Sequence, residues 1–146
     1  MNEDLITRAF LNRFLDNFSG ASNAVSADEP GFDPADSDEW FEFHIDNARR
    51  RRRSRDGGLR IYVACTFTIC VKSPEANVYD APDYADELRT LFEHVCFPVL
   101  DESGSEVGVV DTYELSLTDA TSANNADLGE VGSIYICQLR ACATEF

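Results

Sequence analysis

The sequence lacks the short motifs by which many enzymes and cofactor-binding proteins are recognised. It has no GxxxxGK[ST] phosphate loop, no GxGxxG turn, no HExxH or GxSxG sequence and no CxxC pair. No apolar run reaches 18 residues, and the first ten residues are too acidic for a signal peptide, so we expect a soluble protein without a membrane segment. These absences favour a protein that is not an enzyme and uses no cofactor or metal.

Histidine and cysteine are the residues most often used at reactive sites, but their positions here give little support for a catalytic or metal-binding site. His44 lies in an alternating strand pattern without a nearby partner for catalysis, and His94 lies near a predicted helix end, where an imidazole can meet free carbonyl groups. The cysteines are odd in number and lie mostly in strand-like or helical runs, which favours buried thiols of an intracellular protein over disulfides or metal ligands. They are Cys65, Cys70, Cys96, Cys137 and Cys142.

Basic residues are scarce, and they are unevenly placed. The formal net charge is −15, Lys72 is the only lysine, and six of the eleven arginines lie between Arg49 and Arg55. This balance argues against a general nucleic-acid binder and against adhesion to anionic lipid. An acidic chain with one basic segment is typical of a component that assembles with itself or docks on a partner.

The longest strand pattern runs from Leu59 to Lys72 and organises the fold prediction. Its odd-numbered residues are apolar, and its even-numbered residues are mixed, which suits a face that a helix or a neighbouring subunit partly covers. At about 45 Å, a strand of this length must bend or project from the domain.

The remaining patterns complete a prediction of one domain over 1–146. An amphipathic helix covers 2–18, an irregular acidic arm covers 21–39, and a strand covers 40–46. A second helix over 81–96 is stopped by Pro98, and two further strand regions follow at 106–118, as one strand or a broken pair, and at 133–144. The order predicts an α+β fold: a mainly antiparallel sheet of about four to five strands with a projecting β-hairpin, packed by the N-terminal helix and the second helix.

The arginine-rich segment is predicted to lie at the tip of that hairpin, over 47–58, before the turn residues Asp56 to Gly58. Contact with an acidic subunit or partner is favoured, ahead of a solvated tip and of contact with DNA phosphates. We therefore name candidate contact residues at the tip, together with Trp40 and Tyr62 on the strand faces turned away from the core. The arginines are Arg49, Arg50, Arg51, Arg52, Arg53 and Arg55.

The succession of these segments resembles the tail terminator proteins of tailed bacteriophages. The resemblance covers about residues 3 to 100: the helix ITRAFLNRF, an acidic connector, the strand EWFEFHI, the strand LRIYVACTFTICVKSP and a helix that begins APDYADELRTLFEH. Six positions match a recurrent pattern of that family, namely Pro74, Ala81, Ala85, Asp86, Leu88 and Phe92. A glycine that the family commonly has between them is absent, and its signature before the first strand is only loosely matched by Pro30, Phe32 and Pro34.

The resemblance implies a structural protein of the virion tail and neck, assembled in the host cytoplasm. Such a protein forms a ring, commonly a hexamer, which caps the tail-tube protein, ends its polymerisation and joins it to the head-side connector or stopper protein. Six copies would carry a charge of about −90, so DNA is expected to pass through the lumen without specific binding.

Two alternatives remain open at this stage. One is another head-to-tail joining protein, such as a stopper or a tail-completion factor. The other is a small acidic regulatory or inhibitory protein that binds a basic partner. Ring formation distinguishes the terminator from the acidic binding protein, and binding to the end of tail tubes distinguishes it from a stopper.

Overall fold

The computed structural model describes residues 1–25, 38–46, 51–53, 58–72, 80–121 and 132–146. Two α-helices, α1 (Glu3–Asn17) and α2 (Asp80–Phe92), accompany seven strands. The strands are β1 (Ala24–Val25), β2 (Glu39–Asp46), β3 (Arg51–Arg53), β4 (Leu59–Lys72), β5 (Cys96–Leu100), β6 (Glu106–Asp119) and β7 (Gly132–Glu145). They form one sheet in the order β1-β2-β4-β7-β6-β5, and β3 also pairs with β4. The predicted α+β class is confirmed, with five main antiparallel strands and two short additions.

Helix α1 begins and ends as its sequence predicts. The Asn2 side chain accepts a hydrogen bond from the Leu5 N–H at 3.0 Å, which caps the first turn. The helix ends where the Phe18 N–H donates to the Phe14 carbonyl at 2.9 Å, before Gly20. A Cβ on Gly20 would lie 2.4 Å from the Phe41 ring, so a residue without a side chain lets the chain turn closely against β2.

The predicted hairpin is confirmed, and β2 pairs with β4 without a break. Strand β2 pairs antiparallel with β4 from Glu39 opposite Val71 to Asp46 opposite Ala64. Strand β3 pairs with the beginning of the same edge, Arg52 opposite Arg60. Arg51–Arg53 were predicted to lie at or near the tip. They form this short strand, in a different register from that of β2, directly before the segment that holds the turn residues Asp56 to Gly58. The other tip arginines, Arg49, Arg50 and Arg55, lie outside the described residues, as does most of the predicted acidic arm.

The end of α2 differs from the prediction. The helix stops at Phe92 rather than at Cys96, and His94 follows with a φ of 53° in the left-handed region. Cys96–Leu100 then forms β5 along the edge of the sheet. Pro98 was interpreted as a helix stop, but it lies inside this edge strand, where a missing N–H is tolerated.

The core lies between the helices and one face of the sheet. Odd-numbered residues of β4 and β7 point into it, as the alternation predicts, and they meet the apolar stripes of α1 and α2. Phenylalanine dominates the packing: the Phe10 ring contacts Phe97 edge-on at 5.0 Å, and Phe43 stacks on Phe67 at 4.7 Å. Aromatic pairs at these distances add stabilisation beyond the burial of their area.

Polar contacts hold the two helices to each other and to the sheet. The Ser19 N–H donates to a Glu87 carboxylate oxygen at 2.7 Å, which joins the end of α1 to α2. The Tyr84 hydroxyl donates to the Glu39 carboxylate at 3.1 Å, which joins α2 to β2. Both helices are thereby fixed on the same face of the sheet.

Candidate interaction surface

The opposite face of the sheet has no helix against it in the described part of the chain. We call it the helix-free face; it carries the even-numbered residues of β4 and β7 and their register partners on the neighbouring strands. Tyr62, Ala64 and Arg140 on this face are exposed, whereas Val63, Cys65 and Leu139 beside them are buried in the core. Antiparallel sheets often leave one face to solvent, so this exposure alone does not establish an interface.

A β-bulge shapes the middle of the helix-free face. Thr112 pairs with Ala141 and Leu115 pairs with Leu139, so two residues of β6 lie opposite the single residue Arg140 of β7. The two bulge residues are Tyr113 and Glu114, and both side chains are exposed. A bulge of this kind redirects side chains and increases the local twist.

The residues directly after α2 form hydrogen bonds with the bulge, which replace bonds that a regular ladder would make. The His94 N–H donates to the Tyr113 carbonyl at 3.3 Å, and the Leu115 N–H donates to the Glu93 carboxylate at 2.9 Å. The buried Thr112 hydroxyl donates to the Val95 carbonyl and accepts from the Val95 N–H, both at 2.9 Å. The bulge is therefore a fixed part of the fold.

An open depression of about 450 Å³ lies over the bulge. Strands β4, β6 and β7 all contribute to it, with Arg140 between the bulge on one side and Ala64 and Thr66 on the other. Neither Arg140 nor Glu114 forms an ion pair with another described residue. The depression thus offers one cation, one anion and several hydroxyl and amide groups to a contacting surface.

Two tyrosines lie at the same end of this face. Tyr62 is 36% exposed and Tyr113 is 47% exposed. Tyr62 lies opposite Cys142, which in turn lies opposite Asp111. Partial burial, followed by the proximity of Cys142, Tyr62 and Asp111, raises the pKa of Tyr113, and Arg60 opposes the rise. Tyr113 therefore remains a neutral hydrogen-bonding group at physiological pH.

The other end of the helix-free face is closed by the chain itself. Trp40 is 4% exposed and packs with Cys70 and Ile134 in a small apolar cluster, against which Ala120 and Ile136 also pack. The Thr121 side chain folds back over it by accepting from the Ile134 N–H at 3.1 Å. The cover is confined to this cluster, because His44, Ser116 and Gln138 elsewhere on the face are exposed, as Tyr62 and Arg140 are.

The structure brings only part of the predicted contact set to this surface. Tyr62 lies on its open part, Trp40 lies in the closed cluster, and Arg51–Arg53 form the adjoining edge strand β3. A role for any of them in binding stays a prediction. Sequence reasoning missed Arg60, Tyr113, Glu114 and Arg140. The signal for the bulge was the break in alternation between Asp111 and Leu115.

The cysteine prediction holds for four of the five residues. All five are free thiols, and four are buried; burial, with Glu42 as a second cause, raises the pKa of Cys70 to about 12, and burial raises that of Cys137 to about 11. The prediction was wrong for Cys96, which is exposed because it begins β5 on the helix-free side instead of ending α2. His44 is exposed on β2, opposite Thr66.

Two further properties concern only the described ranges. No group of three or more histidine, cysteine, aspartate and glutamate side chains is arranged there to hold a metal ion. Neither described helix is long and apolar enough to cross a membrane.

Comparison with known proteins identifies the fold alone. No family model matches the sequence, and no curated protein is significantly similar to it. A solved structure that bears no functional name superposes with a TM-score of 0.67 over 100% of this chain and 97% of the other, at 17% sequence identity. At that identity, the likeness extends to the arrangement of helices and strands.

Proposed function

We propose that this chain is a ring-forming tail terminator of a tailed bacteriophage. In this role, copies of the chain cap the tail tube, end its polymerisation and join it to the head-side connector. DNA passes through the lumen of the ring without specific binding. The protein belongs to the tail and neck of the virion and performs no catalysis.

The observation that carries this proposal is the one-sided cover of the sheet. Three strands of 14 residues, β4, β6 and β7, have helices on one face, and the open part of the other presents tyrosine, arginine and hydroxyl groups. Tyrosine and arginine are enriched in protein interfaces. An assembly protein must offer such surfaces both to its copies and to its neighbours in the tail.

The order of elements and the charge give further support. Helix, hairpin, helix and β-strands follow one another as the resemblance to tail terminators implies. The net charge of −15 would make the lumen of a ring repel DNA wherever the arginines are turned away from it. Both properties are also compatible with a stopper or a tail-completion factor, so the experiment must separate these roles.

The test is the native mass of the purified chain by light scattering, over a concentration series at two salt concentrations. We expect a closed species of about six subunits, formed alone or only on isolated tail tubes, as the resemblance implies. Salt should weaken it, because exposed charges contribute to the contact. Electron microscopy of tubes incubated with the chain should show density on one tube end.

Other outcomes would contradict the proposal. A monomer at all concentrations that also ignores tail tubes favours the small acidic binding protein. A ring that does not bind tube ends, but does bind the head-side connector, favours a stopper.

A further inference from the structure

Strand β5 forms one edge of the described sheet. It is last in the strand order, and within the described ranges it pairs only with β6. An edge strand presents a row of unpaired N–H and C=O groups, which can pair with the edge of another chain. The edge of β5 is therefore a place where two copies of this chain can meet by extending the sheet, unless something prevents it.

The hydrogen bonds at the two ends of β5 show which of its residues face outward. The Val95 carbonyl accepts from the Thr112 N–H at 2.9 Å, and the Asp101 N–H donates to the Ser105 carbonyl at 2.9 Å, so both residues bond toward β6. The register shift after Val99 adds its extra residue to β6, so it does not interrupt the alternation along β5. Because backbone groups alternate in direction along an antiparallel strand, those of the even-numbered residues point away from the sheet. These residues are Cys96, Pro98 and Leu100.

Pro98 occupies the middle of this outward row. Proline has no N–H to donate, and its ring lies where the N–H of another residue would point. Prolines on edge strands are one of the means by which proteins prevent pairing between sheets. Pro98 is exposed, whereas Phe97 and Val99 on either side of it are buried. Packing of the core therefore does not account for a proline at this position.

The space beside β5 is not filled by the described part of the chain. A groove of about 360 Å³ lies between α1 and β5, and Ala9, Asn12, Pro98 and Leu100 are among the residues that line it. Leu100 is 43% exposed. Helix α1 therefore leaves room beside the edge, and the missing N–H of Pro98 is the feature that opposes strand pairing there.

We infer that Pro98 prevents the β5 edges of two copies of this chain from pairing with each other. Two identical edges pair antiparallel about a twofold axis, which places Pro98 opposite Pro98 of the second copy and Cys96 opposite Leu100 of the second copy. Each outward pair of an antiparallel ladder exchanges two hydrogen bonds, but the central pair of prolines can exchange none. The proline thus leaves association of copies to other surfaces. This inference goes beyond the proposed ring and does not rest on it.

The experiment converts the pairing of edges into a covalent cross-link. Leu100→Cys adds a second exposed thiol to the edge, and it is combined with Pro98→Val, which restores the N–H. In paired edges, Cys96 of one copy and the new thiol of the other are about 5.5 Å apart between Cα atoms. Within one chain, the same two positions are about 13 Å apart. A short bifunctional maleimide therefore links two copies and does not link a chain to itself.

Denaturing gel electrophoresis measures the fraction of linked dimer after reaction under native conditions, in which the other four cysteines are buried. We expect at least tenfold more linked dimer from the double variant than from Leu100→Cys alone, because valine restores the central pair of hydrogen bonds. Pro98→Val without the added thiol should form no linked dimer, because Cys96 of one copy lies opposite Leu100 of the other.

Matched variants test whether the restored N–H is the cause. Pro98→Ala also restores the N–H without the strand preference of valine, so together with Leu100→Cys it should increase linking as well. Pro82→Val removes an exposed proline from α2 and should leave linking at the level of Leu100→Cys alone. Trp40 is the only tryptophan and lies in the apolar cluster at the other end of the helix-free face. Unchanged fluorescence of Trp40 shows that a variant is folded.

Equal linking with and without Pro98 overturns the inference. If Leu100→Cys alone links as much as the double variant, the edges pair in spite of the proline. If the folded valine and alanine variants link no more than Leu100→Cys alone, a feature other than Pro98 closes the edge. Neither result bears on the proposed ring, which the native mass tests separately.

Discussion

At the scale of single residues, Cys96 is the thiol most open to test. Its side chain is exposed on β5, and a hydrogen bond with Asp111, followed by partial burial and the charge of Asp111, raises its pKa. A raised pKa leaves less thiolate at neutral pH, and the thiolate is the reactive form. At Cys96, exposure therefore favours reaction, whereas the raised pKa opposes it.

We predict that Asp111→Asn accelerates the reaction of Cys96 with a disulfide reagent several-fold at neutral pH. The substitution exchanges the carboxylate, which accepts a hydrogen bond from the thiol and repels the thiolate, for a neutral amide, so the curve of rate against pH should move to lower pH. Stopped-flow absorbance in native buffer measures the rate, and Glu114→Gln on the same strand is the control. Equal rates for Asp111→Asn and the wild type would contradict the cause given for the pKa shift.

At the scale of elements, the bulge in β6 depends on the segment that follows α2. The Thr112 hydroxyl accepts from the Val95 N–H, and the Val95 carbonyl accepts from both the hydroxyl and the backbone N–H of Thr112. Thr112 is 5% exposed. We predict that Thr112→Val lowers the free energy of unfolding by about 1–3 kcal/mol, since the Val95 N–H loses its partner in a partly buried place. Urea denaturation measures the change.

Two substitutions make the bulge prediction specific. Thr112→Ser keeps the hydroxyl and should lose much less stability than Thr112→Val. Thr118→Val, at an exposed position of the same strand, should change the free energy of unfolding by no more than about 0.5 kcal/mol. A loss at Thr118 as large as that at Thr112 would indicate a general effect of valine in β6.

Elements were predictable where their signals are local. The alternation of β2 and β4 is continuous, and glycines mark the turn between them, so the hairpin and its core face followed from the sequence. Strand β5 was missed because Pro98 commonly stops a helix, and only the pairing with β6 shows it to be an edge residue. Arg140 gave no signal of its own, since its setting depends on a bulge in another strand.

At the scale of the whole molecule, the position of β3 bears on assembly. It pairs with the beginning of β4, and Arg52 lies opposite Arg60, so it forms the sheet edge at this end of β4. Charged residues on an edge strand also prevent unwanted strand pairing, which is a sufficient reason for arginines there. The two roles predict different results when the charge is reversed, because either sign protects an edge but only one attracts an acidic neighbour.

We predict that replacing Arg50–Arg53 with glutamate weakens ring formation and the joining of tails. Salt is expected to weaken assembly of the wild type, and it should no longer weaken assembly of this variant. Glutamates keep the edge charged, so the chain should stay folded and free of aggregates, as circular dichroism and light scattering can verify. Lysine at the same four positions keeps the sign and should retain most of the assembly. If rings form equally well with glutamate, the strand does not contact an acidic neighbour, because such a neighbour would repel the glutamates. Protection of the sheet edge would then be the role of this strand.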